Sequence, residues 1–267
     1  MNDNNLKLAV LIDADNVSYK YLKTLFDEVA QYGIACVKRV YGDWSSTLLS
    51  PWKAEALQHS ITPIQQFSYT TGKNSTDSAM IIDAMDILYS NNVEGFCLVS
   101  SDSDFTRLAS RLRESGKLVI GFGENKTPQP FRTACNKFIC LDLIDSSSIK
   151  EINTTIPSTK KGSKKAKVDK TSPAIGTPSA PASKIPSEVI ELLRKIVEEN
   201  SVEAEHWVFL AKVGGLVNRY KSDFDYRAYG AKSLSDLFEM LSDQFEIQIR
   251  DTSNPSIKHY YVRCKQS

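Results

Sequence analysis

Apolar and polar positions alternate in two distinct ways along the first half of the chain. Short apolar runs at residues 7–13, 34–41, 61–67, 95–100, 117–122 and 138–143 predict β-strands. Between them, apolar residues recur at helical spacing, which predicts helices at about 18–32, 52–60, 77–89 and 105–115. Apolar strands that alternate with helices are typical of a parallel sheet covered on both faces, so we predict an α/β domain over residues 1–150.

The pattern changes in the last part of the chain, residues 185–267. Helical spacing at 187–200, 208–220 and 234–241 predicts three helices. Alternation at 245–250 and 258–263 predicts two strands, joined by a turn at Ser253, Asn254 and Pro255. Three helices followed by a β-hairpin predict a small winged-helix domain, which is a nucleic-acid or protein docking module.

The segment between these blocks, residues 151–184, is rich in Pro, Ser and Lys and contains no aromatic residue. Because such a sequence buries too little apolar surface to offset its chain entropy, we predict a disordered linker. It holds 7 basic residues against 2 acidic ones, whereas the flanking blocks hold 15 against 17 and 11 against 13. The linker is therefore either a solvated spacer or a salt-sensitive contact for phosphate groups.

Composition narrows the class of protein. The 267 residues are 41% apolar and 24% charged, and no apolar run approaches the ~20 residues of a membrane-spanning helix. The first residues show no secretory leader, and the five cysteines form no CxxC pair. We therefore expect a cytoplasmic protein with reduced thiols and no membrane segment. The net charge of +1 argues against general coating of nucleic acid.

Acidic residues follow two predicted strands and begin one predicted helix. Asp13 and Asp15 follow the first strand, Asp102 and Asp104 follow the fourth, and Asp77 begins a helix. Ligands of open α/β sheets bind at the carboxyl ends of the strands, so we expect these carboxylates to converge there. A divalent cation would relieve their mutual repulsion, and oxygen ligands alone suit Mg²⁺ or Mn²⁺. Asp77, Asp102 and Asp104 could each instead lie in the first turn of a helix and cap it.

Four blocks of sequence resemble the NYN family, a PIN-like nuclease fold, and in particular its bacterial branch. They are LIDADN, GKNSTDSAMIIDA, LVSSDSDF and GKLVIGFG, and they occur in family order over about residues 8–143. The resemblance implies a metal-dependent ribonuclease. It matches Asp13, Asp77, Asp102 and Asp104 to the acidic positions of the family. It also matches Asn16 to a family asparagine and Lys73 to a frequent basic position.

The following roles are expected of these residues. Asp13, Asp102 and Asp104 hold Mg²⁺ or Mn²⁺ directly or through water, and Asp77 completes the shell or orients the attacking water. Three further residues position ligands or phosphate groups: Asn16, Ser101 and Lys73. Arg39 and Trp44 follow a predicted strand and could pair or stack with RNA, although aromatic residues there are more often part of the core.

The last block resembles the LOTUS, or OST-HTH, family. The resemblance depends on the segment DYRAYG at 225–230 and on a hairpin that ends in HYYVRCK. It implies RNA binding or docking of a protein partner. Candidate RNA contacts are Lys212, Arg219, Tyr220, Arg227 and Lys232.

Three functions remain open at this point. The first is a metal-dependent ribonuclease, expected to be an endonuclease, that acts on single-stranded or structured RNA. The second is a non-catalytic RNA-binding scaffold that keeps the fold. The third is a phosphatase of the haloacid dehalogenase type, in which Asp13 would be the nucleophile and Asp15 the acid/base. The sequence leaves the oligomeric state undetermined.

Overall fold

The first domain is built on a six-stranded parallel sheet. The computed structural model describes residues 6–67, 75–144, 185–201, 206–251 and 258–265. The strands are β1 (Leu6–Asp13), β2 (Gly33–Gly42), β3 (Thr62–Gln65), β4 (Gly95–Val99), β5 (Leu118–Gly123) and β6 (Lys137–Cys140). They lie in the order β3-β2-β1-β4-β5-β6, and every pair is parallel. The predicted α/β, PIN-like fold is confirmed.

Helices cover both faces of this sheet. They are α1 (Leu22–Val29), α2 (Trp52–Gln58), α3 (Ser75–Ser90), α4 (Thr106–Glu114) and α5 (Gln129–Ala134). Side chains of β1 alternate between two hydrophobic cores, with Leu8, Val10 and Ile12 facing α1 and α2. Ala9 and Leu11 face α3, α4 and α5 on the other side. The continuous apolar run of β1 therefore reflects burial on both faces.

Several element bounds differ from the sequence-based prediction. Ser18 caps a 3-10 helix, Tyr19–Tyr21, and α1 ends at Val29 instead of continuing to residue 32. Helix α5 is absent from the prediction, because its six residues include a proline and are too few to show helical periodicity. The last strand ends at Cys140, three residues before the predicted end.

The second domain combines three helices with a small antiparallel sheet. Its elements are α6 (Ser187–Asn200), β7 (Val208–Phe209), α7 (Leu210–Tyr220), α8 (Leu234–Met240), β8 (Phe245–Asp251) and β9 (Lys258–Cys264). The strands lie in the order β7-β9-β8. The predicted helical, winged-helix architecture is confirmed. The helix predicted from residue 208 begins at Leu210, because the two residues before it pair with β9 instead.

The predicted turn at 253–255 and the linker lie outside the described residues. The domain boundaries at 150 and 184 lie there as well and remain predictions. Within the described ranges, no helix combines the length and the apolar character needed to cross a membrane.

The two domains contact each other at the β6 edge of the sheet. The Phe138 amide on β6 donates a hydrogen bond to the Ser222 carbonyl at 2.8 Å, and the Ser222 hydroxyl donates to the Arg132 carbonyl at 2.9 Å. Nearby, Arg227 of the second domain binds Glu28 of α1 at 3.2 Å. Glu28 lies just before the start of β2, so this contact is at the amino ends of the strands. The carboxyl ends remain outside the junction.

Candidate metal centre

Three carboxylates meet at the carboxyl end of the sheet. Asp77, Asp102 and Asp104 each offer an oxygen atom within 4.8 Å of the others. Asp102 and Asp104 follow β4, and Asp77 lies in the first turn of α3. In the strand order, the connections reverse direction between β1 and β4, which is the switch point where open α/β sheets bind ligands. We call Asp77, Asp102 and Asp104 the acidic cluster.

Local chain geometry holds the two acidic residues after β4. The Oδ1 atom of Asp102 accepts a hydrogen bond from the Asp104 amide at 2.9 Å and caps the 3-10 helix Ser103–Phe105. Capping is thus one role of Asp102. A carboxylate has a second oxygen, so the cap does not prevent Asp102 from binding a cation.

Asp13 lies beneath the cluster and is fully buried. Its Oδ2 atom accepts hydrogen bonds from the Ser100 hydroxyl at 2.7 Å and the Asn16 side-chain amide at 2.8 Å. Its Oδ1 atom accepts from the Asp15 amide at 3.1 Å. Burial raises the pKa of Asp13, although the hydrogen bonds from Ser100 and Asn16 oppose this rise. Asp13 is not one of the three residues whose oxygens cluster.

Ser100 connects Asp13 to the acidic cluster. Its hydroxyl donates to Asp13 and accepts a hydrogen bond from the Asp102 amide at 3.0 Å. The sequence pattern favours its neighbour Ser101 instead. The only sequence signal for Ser100 is that it is the first polar residue after a buried strand.

The electrostatics of the acidic cluster favour a bound cation. Burial raises the pKa of Asp77 to about 7, and the charges of Asp13, Asp102 and Asp104 add to the rise. The folded chain therefore brings together carboxylates that repel each other. Carboxylate oxygens, with no His or Cys among the three residues, are the donor set of Mg²⁺ and Mn²⁺. The residues present thus fit the cation that the sequence predicts.

The remaining predicted residues have different surroundings. The Ser101 hydroxyl accepts a hydrogen bond from the Glu124 amide at 2.9 Å, which joins the ends of β4 and β5. Arg39 forms an ion pair with Asp83 of α3, and the same carboxylate accepts a hydrogen bond from Tyr41. Lys73 lies outside the described residues.

Trp44 lies at the mouth of an apolar cleft beyond β2. Its indole Nε1 donates to the Ile64 carbonyl at 2.9 Å, and its ring lines a cavity of about 430 Å³ together with Trp52 and Leu57. The ring is partly buried against the core, so packing fixes its orientation.

Two protein-family models match the chain. The NYN domain matches residues 7–142, and the OST-HTH/LOTUS domain matches residues 180–257. The first match contains all four of the acids Asp13, Asp77, Asp102 and Asp104. The second covers most of the winged-helix domain.

Among individual proteins, the chain is similar to an uncharacterized protein of Methanocaldococcus jannaschii, with 25% identity over 121 residues. That alignment covers 44% of this chain and 47% of the relative, so the chain spans about half the length of the curated relative it matches. Two solved structures are also similar. One is a protein of unknown function from Vibrio parahaemolyticus, with 20% identity and a TM-score of 0.44. The match covers 52% of this chain and 95% of that chain. The other is an uncharacterized protein of Nitrosomonas europaea, with 28% identity and a TM-score of 0.28. The match covers 39% of this chain and 94% of that chain.

Proposed function

The chain belongs to the NYN domain family, and from this premise we propose that it is a ribonuclease that depends on Mg²⁺ or Mn²⁺. NYN domains are generally nucleases, and PIN-like nucleases typically use divalent metals. The observation that carries the proposal is the convergence of Asp77, Asp102 and Asp104 at the switch point of the sheet. We further propose that cleavage is endonucleolytic and that it takes place in the cytoplasm.

Each acidic residue has a part in this proposal. The cation would be held by Asp77, Asp102 and Asp104. The buried carboxylate of Asp13 would add negative charge next to them. When bound, such a cation lowers the pKa of a coordinated water and neutralises charge on a phosphodiester. Asn16 and Ser100 keep the Asp13 carboxylate oriented through their hydrogen bonds. This support from outside the metal shell is typical of metal sites whose affinity depends on ligand orientation.

RNA is the proposed substrate, and the OST-HTH/LOTUS domain is the proposed recruiting module. Trp44 is proposed to contact a base, and Lys73 to contact a phosphate. Arg39 is assigned a different part: through Asp83 it holds α3, and with it Asp77, against the sheet. A protein partner for the LOTUS domain is the alternative use of that module.

The phosphatase alternative is less well supported than the nuclease. Its nucleophile would be Asp13, but both oxygens of that carboxylate accept hydrogen bonds in a fully buried position. Attack on a phosphoryl group requires an oxygen that can reach the phosphorus atom. The buried position of Asp13 suits an orienting or outer metal-binding role instead.

A cleavage assay with linear and circular RNA tests the proposal. Purified protein is incubated with each RNA in Mg²⁺, Mn²⁺ or EDTA, beside Asp102→Asn. We expect metal-dependent cutting of both RNAs, because a circle has no end for an exonuclease, and a loss of ~10²-fold or more in Asp102→Asn.

The same assay separates the other functions. Asp86→Asn is the matched control, since Asp86 is an exposed residue of α3 away from the acidic cluster. Cutting that survives EDTA, or that Asp102→Asn retains in full, would contradict the proposal. RNA binding without cutting in any metal would identify a scaffold instead.

A further inference from the structure

A polar cleft of about 790 Å³ lies between the two domains. One wall is formed by Arg113 at the end of α4 and Gln129 of α5. The other wall is formed by the last turn of α7 and the residues after it. We call this space the junction cleft, and three residues of its second wall matter here: Arg219, Tyr220 and Lys221.

The junction cleft carries excess positive charge. Its lining contains Arg113, Arg219 and Lys221 against a single carboxylate, Asp223, which lies 3.5 Å from Lys221. Arg113 donates to the carbonyls of Thr133 and Ala134 at 3.3 and 3.0 Å, and these neutral acceptors leave its charge uncompensated. Among the residues that the structure describes, neither arginine has a carboxylate partner. An anionic ligand that touches both walls would satisfy these charges.

One further feature suits a nucleotide more than a simple anion. The Tyr220 ring is 57% exposed at the cleft wall, which leaves a face for stacking with a base.

We propose that the junction cleft binds a single-stranded segment of RNA. Arg113, Arg219 and Lys221 hold its phosphates, and Tyr220 stacks with a base. The choice of RNA as the ligand rests on the proposed function. Because each domain supplies one wall, the site exists only while the two domains are docked.

Helix α4 connects this site to the acidic cluster. Asp104 lies two residues before its start, and Arg113 lies near its end. Nine helical residues at 1.5 Å each span on the order of 13 Å. RNA bound in the junction cleft would therefore be held about one short helix away from the carboxylates.

Binding of a fluorescent 12-nucleotide RNA, measured by anisotropy in EDTA, tests the proposal without cleavage. The full chain is compared with the double variant Arg219→Gln and Lys221→Gln. We expect the Kd to rise about 5- to 10-fold, and the slope of log Kd against log salt to fall by about 1.4, since each single-strand phosphate contact contributes ~0.7.

Lys258→Gln provides the matched control. Lys258 is an exposed lysine of the same domain, on β9, and it does not line the cleft. We expect its Kd to change by less than about 2-fold, as for any distant surface charge. An unchanged Kd in the double variant, an equal loss in Lys258→Gln, or no binding by the wild-type chain would each overturn the proposal.

Failure of this proposal can be distinguished from failure of the proposed function. If Asp102→Asn loses metal-dependent cleavage while the double variant binds RNA normally, the nuclease stands and the junction cleft is not its RNA site. If the double variant loses binding with the predicted salt slope but the wild type cuts no RNA, the cleft stands and the nuclease does not.

Discussion

Charges are arranged in opposite ways at the two ends of the parallel sheet. At the carboxyl ends, carboxylates of Asp77, Asp102 and Asp104 meet one another. At the amino ends, Arg227 forms ion pairs with two carboxylates, Glu28 at 3.2 Å and Asp225 at 2.7 Å. The first arrangement brings like charges together, whereas the second pairs opposite charges.

This difference indicates that the two ends of the sheet have different roles. All three members of the Arg227 cluster are mostly buried, and a buried charge is tolerated only when it is paired. The pairing therefore fixes the position of the second domain. In the acidic cluster, burial and the charges of the neighbouring carboxylates raise the pKa of Asp77, which means that its charged form is held at an unfavourable free energy. A carboxyl group whose pKa is raised by burial and by neighbouring charges is typical of functional sites.

The largest expected effect comes from Asp77→Asn. Removing this carboxylate takes away a cation ligand, so we expect metal-dependent RNA cleavage to fall by ~10²-fold or more. The same change removes a buried, repelled charge, so the melting temperature in EDTA at pH 8 should rise. Asp86→Asn on the same helix should change neither quantity. Loss of activity together with a lower melting temperature would show that the contacts of the Asp77 carboxylate stabilise the fold more than its repulsion destabilises it.

At the junction of the two domains, removing a charge is expected to lower the stability of the protein. Arg227→Met leaves Glu28 and Asp225 buried without their partner, which should cost about 3 kcal/mol of unfolding free energy. Lys195→Met removes an exposed pair with Glu199 and should cost less than about 0.5 kcal/mol. Denaturant unfolding followed by tryptophan fluorescence measures both changes. Equal costs would mean that the Arg227 cluster does not hold the domains together.

Ser100→Ala tests whether a residue that is not itself in the acidic cluster affects metal binding through its hydrogen bonds. The change removes the hydrogen bond to Asp13 and the acceptor of the Asp102 amide, and we expect metal affinity to fall about 10-fold. Ser101→Ala removes an acceptor that serves Glu124 and should leave metal affinity within about 2-fold. Titration with Mn²⁺ measures both variants. A larger loss in Ser101→Ala would reverse the assignment.

The smallest effect concerns pH. The pKa of Asp77 is about 7 in the folded chain, above its usual value of 3.8, so the folded state binds this proton more tightly than the unfolded state. The resulting stability is present below pH 3.8 and is lost as the pH rises through 7. A cation competes with the same proton, so metal affinity should rise by up to about 10-fold from about pH 6 to about pH 8. Asp77→Asn should flatten this dependence.

Much of the first domain could be predicted from the sequence because three of its strands are buried on both faces. Residues 8–12 of β1, and all of β4 and β5, include no charged residue, and the acids at the ends of β1 and β4 mark the carboxyl ends. Helix α5 and strand β7 could not be predicted, since six residues and two residues are too short for a periodic pattern. In such segments tertiary contacts decide the structure.

The candidate site was predictable in its acids but not in its hydrogen bonds. The sequence indicates that Asp13, Asp77, Asp102 and Asp104 converge, because strand ends and a helix start share one edge. The structure clusters the oxygens of the last three, whereas Asp13 is buried and is not among them. It does not reveal that Ser100, and not Ser101, bridges Asp13 and Asp102. Nor does it reveal that Arg39 is paired with Asp83, since that partner lies 44 residues away and meets it only when α3 packs against the sheet. The pairing of Glu28 with Arg227, 199 residues apart, is beyond any sequence pattern.

Calorimetric titration of the full chain with Mn²⁺ at pH 8 tests the central claim most directly. If Asp77, Asp102 and Asp104 form a cation site, the wild type and Asp86→Asn should bind one ion per chain with the same affinity. Asp104→Asn, which changes an exposed residue that can be replaced without disturbing the core, should bind it at least about 10-fold more weakly. Saturable binding that Asp104→Asn retains unchanged, or no saturable binding by the wild type, would contradict the account.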